Sequence, residues 1–336
     1  MTDAAQVTDF LARAGWADAR RDEVAGDASA RRFARLARPD GATAILMDAG
    51  DDAPGSSARF ARLSRWINDR GFSAPAVLAK DIDAELLLVE DFGDGLFARL
   101  LEQDPAREGA LYTAAVEFLA ELQRAPVPTG LTPLDGPALA GLTALLTDTY
   151  LPAFDAPVTD AARAIPGQVA ALYDQLAGAA PPTISLRDFH AENVFWLPDR
   201  QGSARLGLID FQDAVAAHPV YDLVSLLQDA RRDLAPGTEA ACLALFARLT
   251  GQEIDRLRPI YALIGAQRAL RILAVFARLI VAGGKPRYAA FIPRVWGHLQ
   301  ANLDHPALAP LAATIRTSVP APTPDRIERM VTCRTR

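Results

Sequence analysis

Asp188, Asn193 and Asp210 are the residues whose types and spacing best suit chemistry. The stretch Leu186-Arg187-Asp188-Phe189-His190-Ala191-Glu192-Asn193 sets a carboxylate and an amide five residues apart, just before an apolar run. A second apolar run, Leu206-Gly207-Leu208-Ile209, ends at Asp210. Transfer of a phosphoryl group to an alcohol needs such a set. One carboxylate orients the attacking hydroxyl and takes its proton, while an amide oxygen and a second carboxylate hold magnesium against the phosphates. Singly, each residue reads as a turn or a strand-end cap. In this order and strand context they read as a catalytic base, Asp188, and two magnesium ligands, Asn193 and Asp210.

The surrounding pattern predicts the elements that must position them. Val7, Phe10 and Leu11 form one stripe of a helix over 5–15 closed by Gly15. Residues 32–37 and 43–47 read as antiparallel strands around the turn Pro39-Asp40-Gly41. A helix over 57–70 carries Phe60, Leu63 and Ile67 in register, and two more short strands follow before residue 91. Gly26, Asp27, Ala28 and Ser29 form a loop ahead of the first of these strands. Its backbone N–H groups and the Ser29 hydroxyl are suited to phosphate oxygens. Beyond Gly95 the periodicity is helical over 96–104, 108–124, 137–152, 159–178, 220–232, 238–248, 253–280 and 287–303. The exception is 183–212, with two strand-like runs. The tail from Thr317, rich in Pro, Thr and Arg, is expected on the surface. The fold class is α+β and bilobal: a small β-rich N-lobe over 1–92 that binds nucleotide, and a larger, mainly helical C-lobe over 93–336 for catalysis and the acceptor.

The 336 residues carry a formal charge of −6, which disfavours nucleic acid as a partner but leaves room for a small anion held by local arginines. Cys242 and Cys333 lie far apart and outside any metal-ligand spacing, which suits reduced thiols. The first residues lack a basic and an apolar segment, so the expected location is the cytoplasm. Ile272 to Ala282 is apolar but short and carries Arg278, which predicts a buried helix and no membrane span. No protein partner is indicated.

The loop Asp188-x-His190-x-x-Asn193 resembles that of the aminoglycoside phosphotransferase and choline kinase branch of the protein-kinase-like fold. The segments "GDASARRF", "LLLVEDFGD", "RDFHAENVFWL" and "IDFQDAVAAHPVYDLVSLLQDARRD" resemble, more closely, bacterial anomeric N-acetylmuramate/N-acetylglucosamine kinases. The resemblance covers nearly the whole chain. It implies ATP and Mg²⁺ as cosubstrate and metal. It also implies a small amino-sugar acceptor phosphorylated at its anomeric hydroxyl, in peptidoglycan recycling. Asp222 would brace the catalytic loop. The alternatives are a kinase of another small alcohol (an aminoglycoside, choline or a ketosamine) and a catalytically silent nucleotide-binding regulatory protein.

Two departures stand out. Met47 occupies the place of the third-strand lysine that usually holds the α- and β-phosphates, and the following helix contains no glutamate to pair with one. Arg31 and Arg32 are the candidates to supply the missing charge, one on each face of a strand. Leu186 stands where a His-Arg-Asp triplet would have His. Within the loop, His190 is expected to shape the backbone, and Glu192 could reach a sugar hydroxyl. Asp213 is a further candidate near the acceptor. Arg268, Arg271 and Arg278 share a helical stripe. Arg268 and Arg271 are expected to meet the carboxylate of N-acetylmuramate.

Asp91-Phe92-Gly93 spells a kinase metal triplet, but it precedes the catalytic loop in the chain. Its place at the end of the last N-lobe strand instead makes Glu90, Asp91 and Phe92 adenine-hinge candidates, with Gly93 and Gly95 providing the bend.

Overall fold

The structure, a computed structural model, describes residues 3–24, 31–178 and 180–332. Gly26, Asp27 and Ser29 lie outside the described residues. The chain divides into two compact units, Met1–Phe118 with Ala191–Asp213, and Leu119–His190 with Ala214–Arg336. These units differ from the expected division after residue 92. Residues 93–118 and 191–213 join the first unit because backbone pairing holds them there. Ser73 bridges Gly207, Leu96 bridges Phe195, and Ala98 N–H donates to the Ala191 carbonyl at 3.0 Å.

The first unit is built on a five-stranded antiparallel sheet: β1 (Arg20–Val24), β2 (Arg32–Ala37), β3 (Thr43–Asp48), β4 (Val77–Asp81) and β5 (Leu86–Glu90), in the order β1-β2-β3-β5-β4. The turn at Asp40-Gly41 sets the β2–β3 register, pairing Ala37 with Thr43 and Arg32 with Asp48. Alternation then separates two faces. Ala34, Leu36, Ala44, Leu46, Leu86 and Leu88 pack with Val7 and Phe10 of helix α1 (Ala4–Arg13) and with Trp16. Asp3 caps α1 in a reciprocal capping box with Gln6. Helix α2 (Ser56–Asn68) buries Phe60, Leu63 and Ile67, the stripe expected of it. A two-stranded ribbon, Val194–Trp196 with Leu206–Leu208, completes this unit.

The second unit is organised around the helix Ile254–Val281, whose buried residues, among them Leu263, Ile264, Leu270, Leu273 and Ile280, fall on every side. A helix buried all round is apolar on most of its sides, and the polar groups it buries, Gln267 and Arg268, are hydrogen-bonded. By length and composition it could cross a membrane, but most of that stretch is buried inside the protein. A small sheet of Pro133–Leu134, Val215–Ala217 and Thr183–Ser185 leads into the candidate loop over 186–193. The expected helix over 137–152 is broken into Gly136–Thr143, a π-turn at Leu146–Tyr150 and one further turn. The helix expected over 220–232 ends at Leu227. The tail from Thr317 lies mostly on the surface, as expected; within it Pro324–Thr332 forms a helix that buries Met330, and the Tyr150 hydroxyl donates to the Pro320 carbonyl at 2.9 Å. Pro324 opens this helix, and Met330 supplies the apolar contact that anchors it.

Candidate active site

The strand Thr183–Ser185 leads straight into Leu186-Arg187-Asp188, and buried partners grip this turn from below. Asp222 is 3% exposed and accepts hydrogen bonds from the Ser185 hydroxyl (2.7 Å) and from the N–H groups of Leu186 (2.7 Å) and Arg187 (3.0 Å). The Arg187 carbonyl accepts from the Ser225 hydroxyl at 2.9 Å and from Arg268 Nη1 at 3.1 Å. Arg187 is thereby held at φ +67, a region a non-glycine residue enters at a cost of about 1–3 kcal/mol. Such a conformation persists where neighbours over-determine it, and five hydrogen bonds to one turn do so here.

The same residues set the charge on Asp188. Burial, the largest single influence, pushes its carboxyl up. The charges of Arg268, His190, Arg271 and Arg187 together outweigh burial and hold the group below its usual value. Burial also lowers the His190 pKa, so at neutral pH the arginines are the source of this field. Complete burial raises Asp222 to about 6, against the hydrogen bonds and the nearby Arg268.

Arg268, expected at an acceptor carboxylate, is otherwise engaged. It is 7% exposed, its Nη2 donates to Ser225 Oγ at 2.7 Å, its Nη1 holds the Arg187 carbonyl, and its guanidinium lies 4.8 Å over the Tyr221 ring. This is a loop-bracing position. The stripe divides: Arg268 is buried, Arg271 half-buried and Arg278 exposed.

In the first unit, Asn193 opens the ribbon strand, and its carbonyl accepts from the Ile209 N–H at 3.1 Å, which fixes Asp210 beside that strand. Asp210 also has positive φ, +58. Its Oδ1 accepts from Arg31 Nη2 at 2.8 Å and from Gln212 Nε2 at 2.9 Å. An amide oxygen and a carboxylate are the hard donors Mg²⁺ prefers, and that ion commonly takes only one or two protein ligands and completes its shell with phosphate and water. The Asp210 side chain is 41% exposed, with both described hydrogen bonds on one oxygen, so the other remains open to an ion. The residues fit the metal.

Arg31 and Arg32 point to opposite faces. The Arg31 side chain is 8% exposed and lies between Asp210 and Asp52, whose Oδ2 is 3.4 Å from its Nε. Arg32 is half-exposed and pairs with buried Asp48 at 2.6 Å. Met47 is buried in the sheet. Asp52 was missed in the sequence. Helix α2 has no glutamate, but the acidic turn Asp51-Asp52 just before it provides the carboxylate. Burial raises the Asp52 pKa, but hydrogen bonds from Ser56 and Ala53 with the charges of Arg31 and Arg59 outweigh it and hold the group low.

The hinge candidates have structural side chains. The buried Asp91 carboxylate accepts from Arg35 Nη2 at 3.0 Å and from the Gly93 N–H at 2.9 Å. Glu90 pairs with Arg200 and accepts from the Ala76 N–H at 3.2 Å. The Phe92 ring lies against Gly207 and Phe195, with Arg200 over it. The Glu90 N–H is itself spent on the Ala76 carbonyl at 2.8 Å, so the candidates for meeting a base are the remaining backbone groups of 90–92. Gly93 takes φ +75. Asp213 is exposed, and Glu192 is partly exposed in the loop. Among the described residues no cluster of three His, Cys, Asp or Glu forms a metal centre, so Asn193 and Asp210 remain the candidate ligands.

A model of a phosphotransferase enzyme family matches residues 21–260. The chain belongs to that family. This phosphotransferase is 40% identical to the N-acetylmuramate/N-acetylglucosamine kinase of Caulobacter vibrioides, over 94% of its own length and 96% of the relative's. Two solved structures share the fold. A choline kinase from Streptococcus pneumoniae has a TM-score of 0.62 at 14% identity, over 89% of this chain and all (100%) of that one. An aminoglycoside phosphotransferase from Streptomyces rimosus, in complex with ADP and streptomycin, has a TM-score of 0.52 at 19% identity, over 81% and 99%. The protein-kinase-like fold and the phosphotransferase activity expected from the sequence are thus established, and the silent-regulator alternative loses its ground.

Proposed function

We propose that this phosphotransferase moves the γ-phosphoryl group of ATP to the anomeric hydroxyl of N-acetylmuramate or N-acetylglucosamine, giving the sugar 1-phosphate in the cytoplasm during peptidoglycan recycling. The observation that carries this reading is the 40% identity to a kinase of that name over nearly the full length of both chains.

Asp188 aligns the hydroxyl and takes its proton as the oxygen attacks. The arginine field keeps its carboxylate ionised and ready at neutral pH. Asn193 and Asp210 hold magnesium, which when bound neutralises charge on the phosphates. Arg31 stands in for the absent lysine as the phosphate cation, positioned by Asp52 as a helix glutamate would position that lysine. The backbone of Glu90 to Phe92 meets the adenine edge, and Gly26, Asp27 and Ser29 cover the phosphates. His190 shapes the loop, while Glu192 and Asp213 are available to sugar hydroxyls.

The test is purified protein with Mg-ATP and a panel of amino sugars, aminoglycosides and choline, followed by ADP release and by phosphorus NMR of the product. Phosphate on C1 of an N-acetyl sugar is expected. Turnover confined to aminoglycosides or choline would overturn the reading.

A further inference from the structure

The second unit holds two guanidinium groups beside Asp188 that the loop brace does not consume. Arg187 has its backbone gripped at both ends, yet its side-chain Nε is buried with no hydrogen-bond partner. Arg271 lies one turn beyond Arg268 on the same helix, half-buried. Arg268 bonds to the Arg187 carbonyl, so this spacing brings Arg271 to the same turn. Among the described residues none hydrogen-bonds or ion-pairs with the Arg271 guanidinium. Burial, and repulsion from Arg187 and Arg268, lower its pKa.

Charge counting makes the point physical. Three arginines (187, 268 and 271) face two carboxylates, Asp188 and Asp222, leaving one positive charge in excess. Arg268 is committed to the loop. An excess cation in a partly buried setting is costly unless an anion completes it. Two neighbouring guanidinium groups offer the forked donor geometry that a carboxylate fills in bidentate fashion.

We propose that Arg187 and Arg271 form an anion subsite beside Asp188, which takes the carboxylate of an acidic acceptor sugar. The inference rests on the kinase reading above. N-acetylmuramate is N-acetylglucosamine with a lactyl ether, and the lactyl carboxylate is ionised at neutral pH. The subsite would therefore serve one of the two sugars and stand idle for the other. Arg187 takes the role that the sequence had suggested for Arg268.

The experiment is steady-state kinetics of wild type, Arg187→Gln, Arg271→Gln and Arg271→Lys on N-acetylmuramate, its methyl ester and N-acetylglucosamine. In Arg271→Gln the KM for N-acetylmuramate should rise roughly 10- to 100-fold, with the lysine variant between it and wild type. The KM values for N-acetylglucosamine, the methyl ester and ATP should stay within about two-fold. Arg187→Gln should repeat this pattern. Should it melt early, Arg271→Gln decides alone. Because both arginines also help keep Asp188 ionised, a kcat loss shared by all acceptors is expected and the KM split is the readout: an equal rise in KM on both sugars, no rise on either, or a rise in the KM for ATP would overturn the subsite. If wild type phosphorylates neither sugar, the kinase reading fails separately. Calorimetric titration with N-acetylmuramate then decides the subsite: binding to wild type that Arg271→Gln loses supports it, and equal or absent binding sinks it.

Discussion

Arg31 reaches across 179 positions of sequence to donate a 2.8 Å hydrogen bond to Asp210, the aspartate that ends the ribbon strand. A second carboxylate, Asp52, lies 3.4 Å from its Nε. One buried arginine therefore joins the start of β2, the turn before α2 and a proposed magnesium ligand, all in one unit. A protein-kinase-like fold that lacks its third-strand lysine needs a cation somewhere near the phosphates, and this one is held in place from two sides.

Changing Arg31 to Ala should lower kcat/KM for ATP by about 10- to 100-fold, through both binding and turnover. Arg32→Ala removes a half-exposed partner of Asp48 on the other face and should leave the ATP parameters near wild type. Asp52→Asn should show part of the Arg31 effect. A double-mutant cycle of Arg31 and Asp52 should give a coupling of roughly 0.5–3 kcal/mol, and additive losses would separate the two residues.

Asp188→Asn should reduce kcat by about 10²- to 10⁴-fold while ATP still binds, as measured by turnover and by nucleotide titration. The pH dependence has a definite sign. Arginine charge lowers the Asp188 pKa, so the base is ionised above that value and lost only as pH falls through it. The acid limb attributable to Asp188 should lie below the ordinary carboxylate value of about 4. A limb near neutrality that disappears in Asp188→Asn would contradict this.

His218 gives a prediction for stability. It is 4% exposed, its Nδ1 accepts from the Val220 N–H at 3.2 Å, and burial lowers its pKa to about 4. The folded protein keeps this ring neutral, whereas the unfolded chain protonates it near pH 6.5. Between those values the unfolded state binds the extra proton. Stability therefore falls as the solution is acidified from about 6.5 toward 4, by an amount on the order of 3 kcal/mol for this residue. Urea unfolding across that range should show a shallower decline in His218→Gln than in wild type. Parallel declines would assign the effect to other groups.

Gly207 tests the packing beneath the hinge. A Cβ there would stand 2.7 Å from the Phe92 ring. Gly207→Ala should cost about 1–3 kcal/mol by overpacking, and Phe92→Leu in the same chain should recover part of it. Denaturant midpoints of the single and double variants measure both. An alanine that leaves the midpoint unchanged would show that the ring moves freely.

The sequence by itself determined the local matters. The 3.6-residue stripes placed α1, α2 and the helix Ile254–Val281. The turn at Pro39-Asp40-Gly41 set a hairpin register, and the order Asp188, Asn193, Asp210 pointed to phosphoryl transfer. Each of these depends on residues a few positions apart, whose geometry the backbone imposes. The tertiary structure alone decided the partners. Asp52 serves Arg31, and Arg268 braces the Arg187 carbonyl. Asp91 is spent on Arg35, and the tail helix Pro324–Thr332 is anchored by its buried Met330. All four rest on contacts whose distance along the chain no local pattern encodes. Which guanidinium is consumed and which stays open follows from burial and hydrogen-bond supply, and these exist only once the chain has packed.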